Sequence, residues 1–297
     1  MPVFGRVVTA MATPFTPDRA LDLDGAARLA THLVDHGTET VLVVGTTGES
    51  PTLHDDEPWD LLQAVKDAVG DRAEVMIGTG TNDTAKTVAA TQRATELGAD
   101  AILVVTPYYN KPSQRALVQH FNAAAEATDR PVLLYDIPGR TSREIELQTL
   151  ITLAETRNIV GVKDAVGDLA KVAEIVAATQ AAPGGFEVYC GADELNLPML
   201  AVGAAGFVSV AAHLAGDHLA EMAEVFETDP VKARQLHLDL LPLCRALFVE
   251  PSPAPLKGAM NRLGLPAGPV RLPMVEAEDT TVEAVLAALE HAGVARP

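Results

Sequence analysis

Lys163 ends the apolar run Ile159-Val160-Gly161-Val162, whereas the other six of the chain's seven lysines fall in helix-like or turn-like stretches. Burial disfavours an ammonium and lowers a lysine's pKa, and a neutral amine can attack a carbonyl to form a Schiff base. The same position also suits a structural lysine paired with Asp164 or Glu187. Tyr135 closes a second apolar run, Val132-Leu133-Leu134. Schiff-base formation passes through a carbinolamine and its dehydration, and a phenol can carry the protons that both steps move. A tyrosine that merely packs is the alternative.

Further groups could bind what the amine attacks. Gly45-Thr46-Thr47-Gly48-Glu49-Ser50 offers two hydroxyls and close backbone approach, which suits a small carboxylate. It lacks the lysine and the wider glycine spacing of a phosphate loop. Arg140 can clamp a second carboxylate through its forked guanidinium, or be only solvated. Two of the four tyrosines stand together in Thr106-Pro107-Tyr108-Tyr109-Asn110, and Gly191 follows Cys190. His32 and His36 have the spacing of a metal pair without a third ligand. Cys190 has no evident His–Asp partnership and reads as a small buried hydrophobe. No dinucleotide-binding glycine fingerprint opens a βα unit.

The elements that must hold these groups show as apolar, β-branched runs over 7–11, 40–44, 75–79, 101–105, 132–135, 159–163, 187–190 and 206–210. They recur about every 29 residues, without polar alternation, as expected of parallel strands buried on both faces. Helical periodicity fills the intervals at 25–36, 57–69, 84–97, 114–127, 147–155 and 168–179, with Gly37, Gly70 and Gly98 at C-cap positions. Eight such units predict a closed (β/α)8 TIM barrel in preference to an open doubly wound sheet. In such barrels the chemistry sits at the C-terminal strand ends, where the candidates above fall. Beyond 210 only helices are predicted, at 217–227, 230–249, 255–263 and 281–291. The predicted division is a catalytic barrel over 1–225 and a small C-terminal helical appendage over 226–297.

Composition narrows the partners. The chain has 297 residues, 48% of them apolar, and a net charge of −18, which repels nucleic-acid phosphates. Two cysteines allow no disulfide framework and fit a reducing compartment. The N-terminus lacks a signal-peptide pattern. The uncharged stretch 195–216 contains Asn196, Pro198, Gly203, Gly206, Ser209 and His213, and reads as a buried strand with its flanks rather than a membrane span. These features predict a soluble cytoplasmic protein with no membrane partner.

Four segments in register, Gly45 to Ser50 (GTTGES), Thr106 to Pro112 (TPYYNKP), Tyr135 to Thr141 (YDIPGRT) and Gly161 to Asp164 (GVKD), resemble the pyruvate-dependent class I aldolase family that includes N-acetylneuraminate lyase. The resemblance covers nearly the whole chain. It implies Lys163 as the Schiff-base lysine for pyruvate and Tyr135 as proton donor and acceptor. Thr46 and Tyr109 complete a hydroxyl relay, with Tyr109 supplied by the neighbouring subunit of a homo-oligomer, a tetramer built as a dimer of dimers. Thr47 is implied to hold the pyruvate carboxylate, with the Val208 backbone and Gly191 closing the pocket. Arg140 is implied to bind the second substrate. The double threonine and the position of Arg140 favour, within the family, condensation of pyruvate with L-aspartate 4-semialdehyde to 4-hydroxy-tetrahydrodipicolinate, a step toward lysine and diaminopimelate. The alternative is an aldolase of 2-keto-3-deoxy sugar acids or N-acetylneuraminate. Such chemistry implies neither metal nor organic cofactor. Family members inhibited by L-lysine bind it at positions matching Ser50, Asp55, Pro58, Asn82, Lys86 and Tyr108. Lys86 stands where they carry a glutamate, so weak or absent inhibition is expected.

Overall fold

The structure, a computed structural model, describes residues 2–54 and 56–295. Among them eight parallel strands hydrogen-bond in chain order as a closed barrel. They are β1 Val7–Ala10, β2 Thr40–Val43, β3 Glu74–Gly78, β4 Ala101–Val105, β5 Val132–Asp136, β6 Ile159–Asp164, β7 Glu187–Cys190 and β8 Gly206–Ser209. Each lies within a residue of its predicted run, because an uninterrupted apolar stretch can end only where its burial ends. Between and after them lie α1 Leu23–Asp35, α2 Glu57–Val69, α3 Thr84–Glu96, α4 Gln114–Glu126, α5 Pro138–Thr141, α6 Leu147–Ala154, α7 Leu169–Thr179, α8 Asn196–Ala201, α9 Ala212–Val225, α10 Pro230–Ala246, α11 Ala254–Leu263 and α12 Asp279–His291. The helices start where side chains satisfy the free backbone amides: Asp83 caps α3, Ser113 caps α4 and Asp168 caps α7. No described helix is long and apolar enough to cross a membrane.

Two compact units divide the chain: residues up to Gly5 together with Met76–Val208, and Arg6–Val75 together with residues from Ser209 onward. In the first, β5 and β6 pair Val132 with Ile159 but Leu133 with Gly161, so Val160 bulges out of register. The shift places Tyr135 opposite Lys163 and Asp136 opposite Asp164. Register neighbours share a face, and a slip of one residue would exchange the two faces. On its other side Gly161 pairs with Glu187 of β7, so close that a β-carbon there would lie 2.2 Å from the Glu187 carbonyl oxygen.

In the second unit β1 and β2 pair Val8 with Thr40 and Ala10 with Leu42. Helix α9 packs on β1 and α10, and α12 packs on α10 and α11. The last helix before the C-terminal region begins at Ala212, not at 217 as the periodicity suggests, and bends at Ala215. Its first turn is tied down by a buried histidine. His213 Nε2 accepts from the Ala12 N–H at 3.0 Å while Nδ1 meets the Val210 carbonyl at 2.8 Å. Next to the bend, a β-carbon on Gly216 would lie 2.2 Å from the His36 carbonyl oxygen.

Candidate active site

Lys163 and Tyr135 are 5% and 4% exposed, although one ends in an amino group and the other in a hydroxyl. Lys163 Nζ lies over the Tyr135 ring, 4.2 Å from its centroid. The structural alternative for Lys163 needed a carboxylate, and among the described residues none lies within ion-pair distance of it. Asp164 turns Oδ1 to the amides of Val166 and Gly167 at 3.0 and 3.2 Å. Glu187 accepts from the Val3 N–H at 2.9 Å and from the Tyr189 hydroxyl at 2.8 Å. Lys163 is thus a buried amine held beside a phenol and free of a counter-ion.

Neighbouring residues fix that pair. The Tyr135 carbonyl accepts both the backbone N–H and the hydroxyl of Thr106, at 2.9 and 3.0 Å. Gly191 leaves room for the lysine stem, because a β-carbon there would stand 3.0 Å from Lys163 Cε. Val208 is buried in β8 beside Phe207, which pairs with Cys190. Burial raises the Cys190 thiol's pKa, and Sγ meets the Ala192 carbonyl at 3.1 Å, the setting of an inert cysteine.

Arg140 sits exposed on α5, just past β5, and its guanidinium has no ion pair among the described residues. Tyr109 is 89% exposed with φ 72°, in a loop tied by the hydrogen bond from Asn110 Nδ2 to the Asn82 carbonyl at 2.9 Å. The phenol therefore projects away from the chain that carries it.

The loop after β2 belongs to the other compact unit. Val44 and Glu49 bracket it with φ of 57° and 55°, and a left-handed valine is a strained conformation that costs roughly 1–3 kcal/mol. Thr47 is buried and Thr46 half-buried. At Gly48 a β-carbon would crowd the Met11 carbonyl and the Val44 amide, each at 3.2 Å. Two threonine hydroxyls thus stand on a strained, closely packed turn.

Behind Lys163 and Tyr135 lies a buried ion cluster around Lys171, a residue the sequence does not single out. Asp136 and Asp164, the next residues on β5 and β6, point to the opposite face, as strand alternation requires. Lys171 on α7 donates to Asp136 Oδ2 at 3.2 Å, Glu144 Oε1 at 2.7 Å and the Ile145 carbonyl at 2.8 Å. Burial pushes the Asp136 carboxyl up to about 7 against the pull of Lys171, and burial raises Asp164 as well. Burial opposes the Lys171 ammonium, but Glu144 and Asp136 together hold its pKa above the ordinary value. The available signal was the place of Lys171 on the buried stripe of α7, four residues before Ile175.

His32 and His36 are engaged elsewhere, His32 with the His213 carbonyl at 3.3 Å and His36 with Asp217 at 2.7 Å. Among the described residues no group of three His, Cys, Asp or Glu side chains is arranged to hold a metal ion.

The chain is similar to known proteins over nearly its whole length. Residues 3–292 match the model of the dihydrodipicolinate synthetase family. The chain is 50% identical over 292 residues to a 4-hydroxy-tetrahydrodipicolinate synthase of Moorella thermoacetica, covering 98% of this chain and 99% of that one. Its structure superposes on a dihydrodipicolinate synthase from Bacillus anthracis with TM-score 0.93 and 42% identity, covering 98% and 99% of the two chains. It also superposes on the enzyme of Cyanidioschyzon merolae, solved with lysine bound, with TM-score 0.95, 41% identity and the same coverages. On its sequence and its barrel alike, the chain belongs to the dihydrodipicolinate synthetase family.

Proposed function

We propose that this protein condenses pyruvate with L-aspartate 4-semialdehyde to 4-hydroxy-tetrahydrodipicolinate, in the route to lysine and diaminopimelate. The observation that carries the reading is the buried Lys163 amine, without a counter-ion among the described residues and 4.2 Å from the centroid of the Tyr135 ring, in a chain of this family. Lys163 Nζ attacks the pyruvate ketone to give a carbinolamine, which loses water to the iminium. The iminium makes the methyl protons acidic, and loss of one gives the enamine. The enamine carbon attacks the aldehyde carbon of the second substrate, whose oxygen takes a proton and remains as the product hydroxyl. The substrate's amine then adds to the iminium carbon, expels Lys163 and closes the ring. Because the lysine is the electron sink, these steps require neither metal nor organic cofactor.

Tyr135 moves the protons, with Thr46 and Tyr109 as relay partners. Thr47, Gly191 and the Val208 backbone receive pyruvate, and Arg140 pairs with the carboxylate of the semialdehyde. The exposure of Tyr109 supports its service in a neighbouring subunit, and so a homo-oligomer, assembled as a tetramer in the cytoplasm. Lys86, exposed in the first turn of α3, gives an ammonium effector a like charge to meet, which supports insensitivity to L-lysine. Asp55, matched to the same effector site, lies outside the described residues.

Initial rates with pyruvate and L-aspartate 4-semialdehyde, set against rates of cleavage of N-acetylneuraminate and of 2-keto-3-deoxygluconate, test the substrate. Turnover of the first pair alone is expected. Faster cleavage of either sugar acid would replace this reading with the aldolase alternative.

A further inference from the structure

Glu49 ends the Thr46-Thr47 loop in a left-handed conformation with its carboxylate buried. Oε1 accepts from Lys257 Nζ at 2.8 Å, and Oε2 accepts from the Arg271 backbone N–H at 2.8 Å. Lys257, on α11, is 1% exposed. Its other hydrogen bonds run to the carbonyls of Thr13 and Pro269, at 3.0 and 2.6 Å, so all three ammonium protons are used within the protein. The Thr13 hydroxyl donates to the Gly48 carbonyl at 2.7 Å, and the Glu49 N–H donates to the Thr46 carbonyl at 3.1 Å. The Arg271 guanidinium grips Glu57 through two contacts of 2.6 Å and lies over the Phe15 ring, as does Lys257 Nζ.

An ion pair this deeply buried is poor evidence of stabilisation, since a well-packed apolar pair often serves the fold as well. Directional hydrogen bonds do what an apolar pair cannot: they fix Glu49 in its strained conformation, one backbone hydrogen bond away from Thr46. We infer that Glu49 and Lys257 are positioning residues, through which helix α11 holds Thr46 and Thr47 in their working geometry. The inference rests on the proposed function, in which those threonines handle the pyruvate carboxylate and its protons.

The test uses the full-length enzyme with Lys257→Met, Glu49→Gln and both together. Each is measured for pyruvate KM, kcat, thermal midpoint and borohydride-trapped pyruvate on Lys163. Lys257→Met should lower kcat at least about tenfold and raise pyruvate KM, as displacement of a positioned group does. Trapping at saturating pyruvate should still label Lys163. The double variant leaves no lone buried charge, so its thermal midpoint should recover while kcat does not. Recovery of kcat together with the midpoint, or single variants that lose only stability, would overturn the inference. If Lys257→Met does not fold, the double variant decides by the same two readouts. Absence of the adduct from the unaltered enzyme would overturn the reading of Lys163 on which the inference rests.

Discussion

A β-carbon on Gly191 would lie 3.0 Å from Lys163 Cε, so the glycine after β7 provides the space that the lysine stem occupies. The Asp164 carbonyl oxygen, also at 3.0 Å, closes off retreat on the backbone side. Gly191→Ala should therefore push the amine off its place above Tyr135 and leave the fold intact. Displacement of a reacting group by a fraction of an ångström lowers kcat/KM by roughly 10–100-fold. Steady-state kinetics beside a thermal melt check this, and an alanine variant with unaltered kcat/KM would contradict it.

His213 gives stability an acid limb. It is fully buried, and burial lowers its pKa to about 4 from 6.5. The unfolded chain then binds the proton more readily than the folded one between these values, so stability is intact above about pH 6.5 and falls as pH drops toward 4. The loss integrates to roughly 3 kcal/mol at the acid end. Denaturant titrations at pH 7 and pH 4.5 should show a smaller acid loss in His213→Gln, measured against that variant's own stability at pH 7. Equal losses in both proteins would refute it.

The strands were legible because their apolar runs are continuous, and Lys163 and Tyr135 were legible because each interrupts such a run with a group that dislikes burial. The bulge at Val160 is not, since it is a property of how β5 and β6 pair and not of either run alone. Lys171 and Lys257 are not marked out by the sequence, for a related reason. Each sits on the buried stripe of a helix, and its burial is set by partners far away in sequence, Asp136 for one and Glu49 for the other. The short helices α5 and α8 are absent from the predicted helices because four and six residues carry too little periodicity to register.

Tyr109 projects from its own chain, so it should act in the active site of another. Tyr109→Phe and Lys163→Ala homo-oligomers should each be nearly inactive. Subunits mixed and re-associated should regain part of the activity, because a hybrid dimer holds one complete site. Hybrids demonstrated by native mass spectrometry but without recovery would place Tyr109 outside the reaction or within its own subunit.

L-lysine should inhibit poorly. At about 4 Å an ammonium beside Lys86 meets a repulsion of roughly 1–4 kcal/mol, depending on the local dielectric. Initial rates should change little up to millimolar L-lysine, and Lys86→Glu should sharpen inhibition. Half-inhibition of the unaltered enzyme well below a millimolar would show that the charge at Lys86 does not govern the site.

Lys163 should form the covalent bond to pyruvate. Incubation with pyruvate and borohydride, followed by peptide mass spectrometry, should find one reduced pyruvyl group per chain on the peptide carrying Lys163, and none on the Lys163→Ala protein. Labelling that persists in Lys163→Ala, or that falls on Lys171 or Lys257, would contradict it.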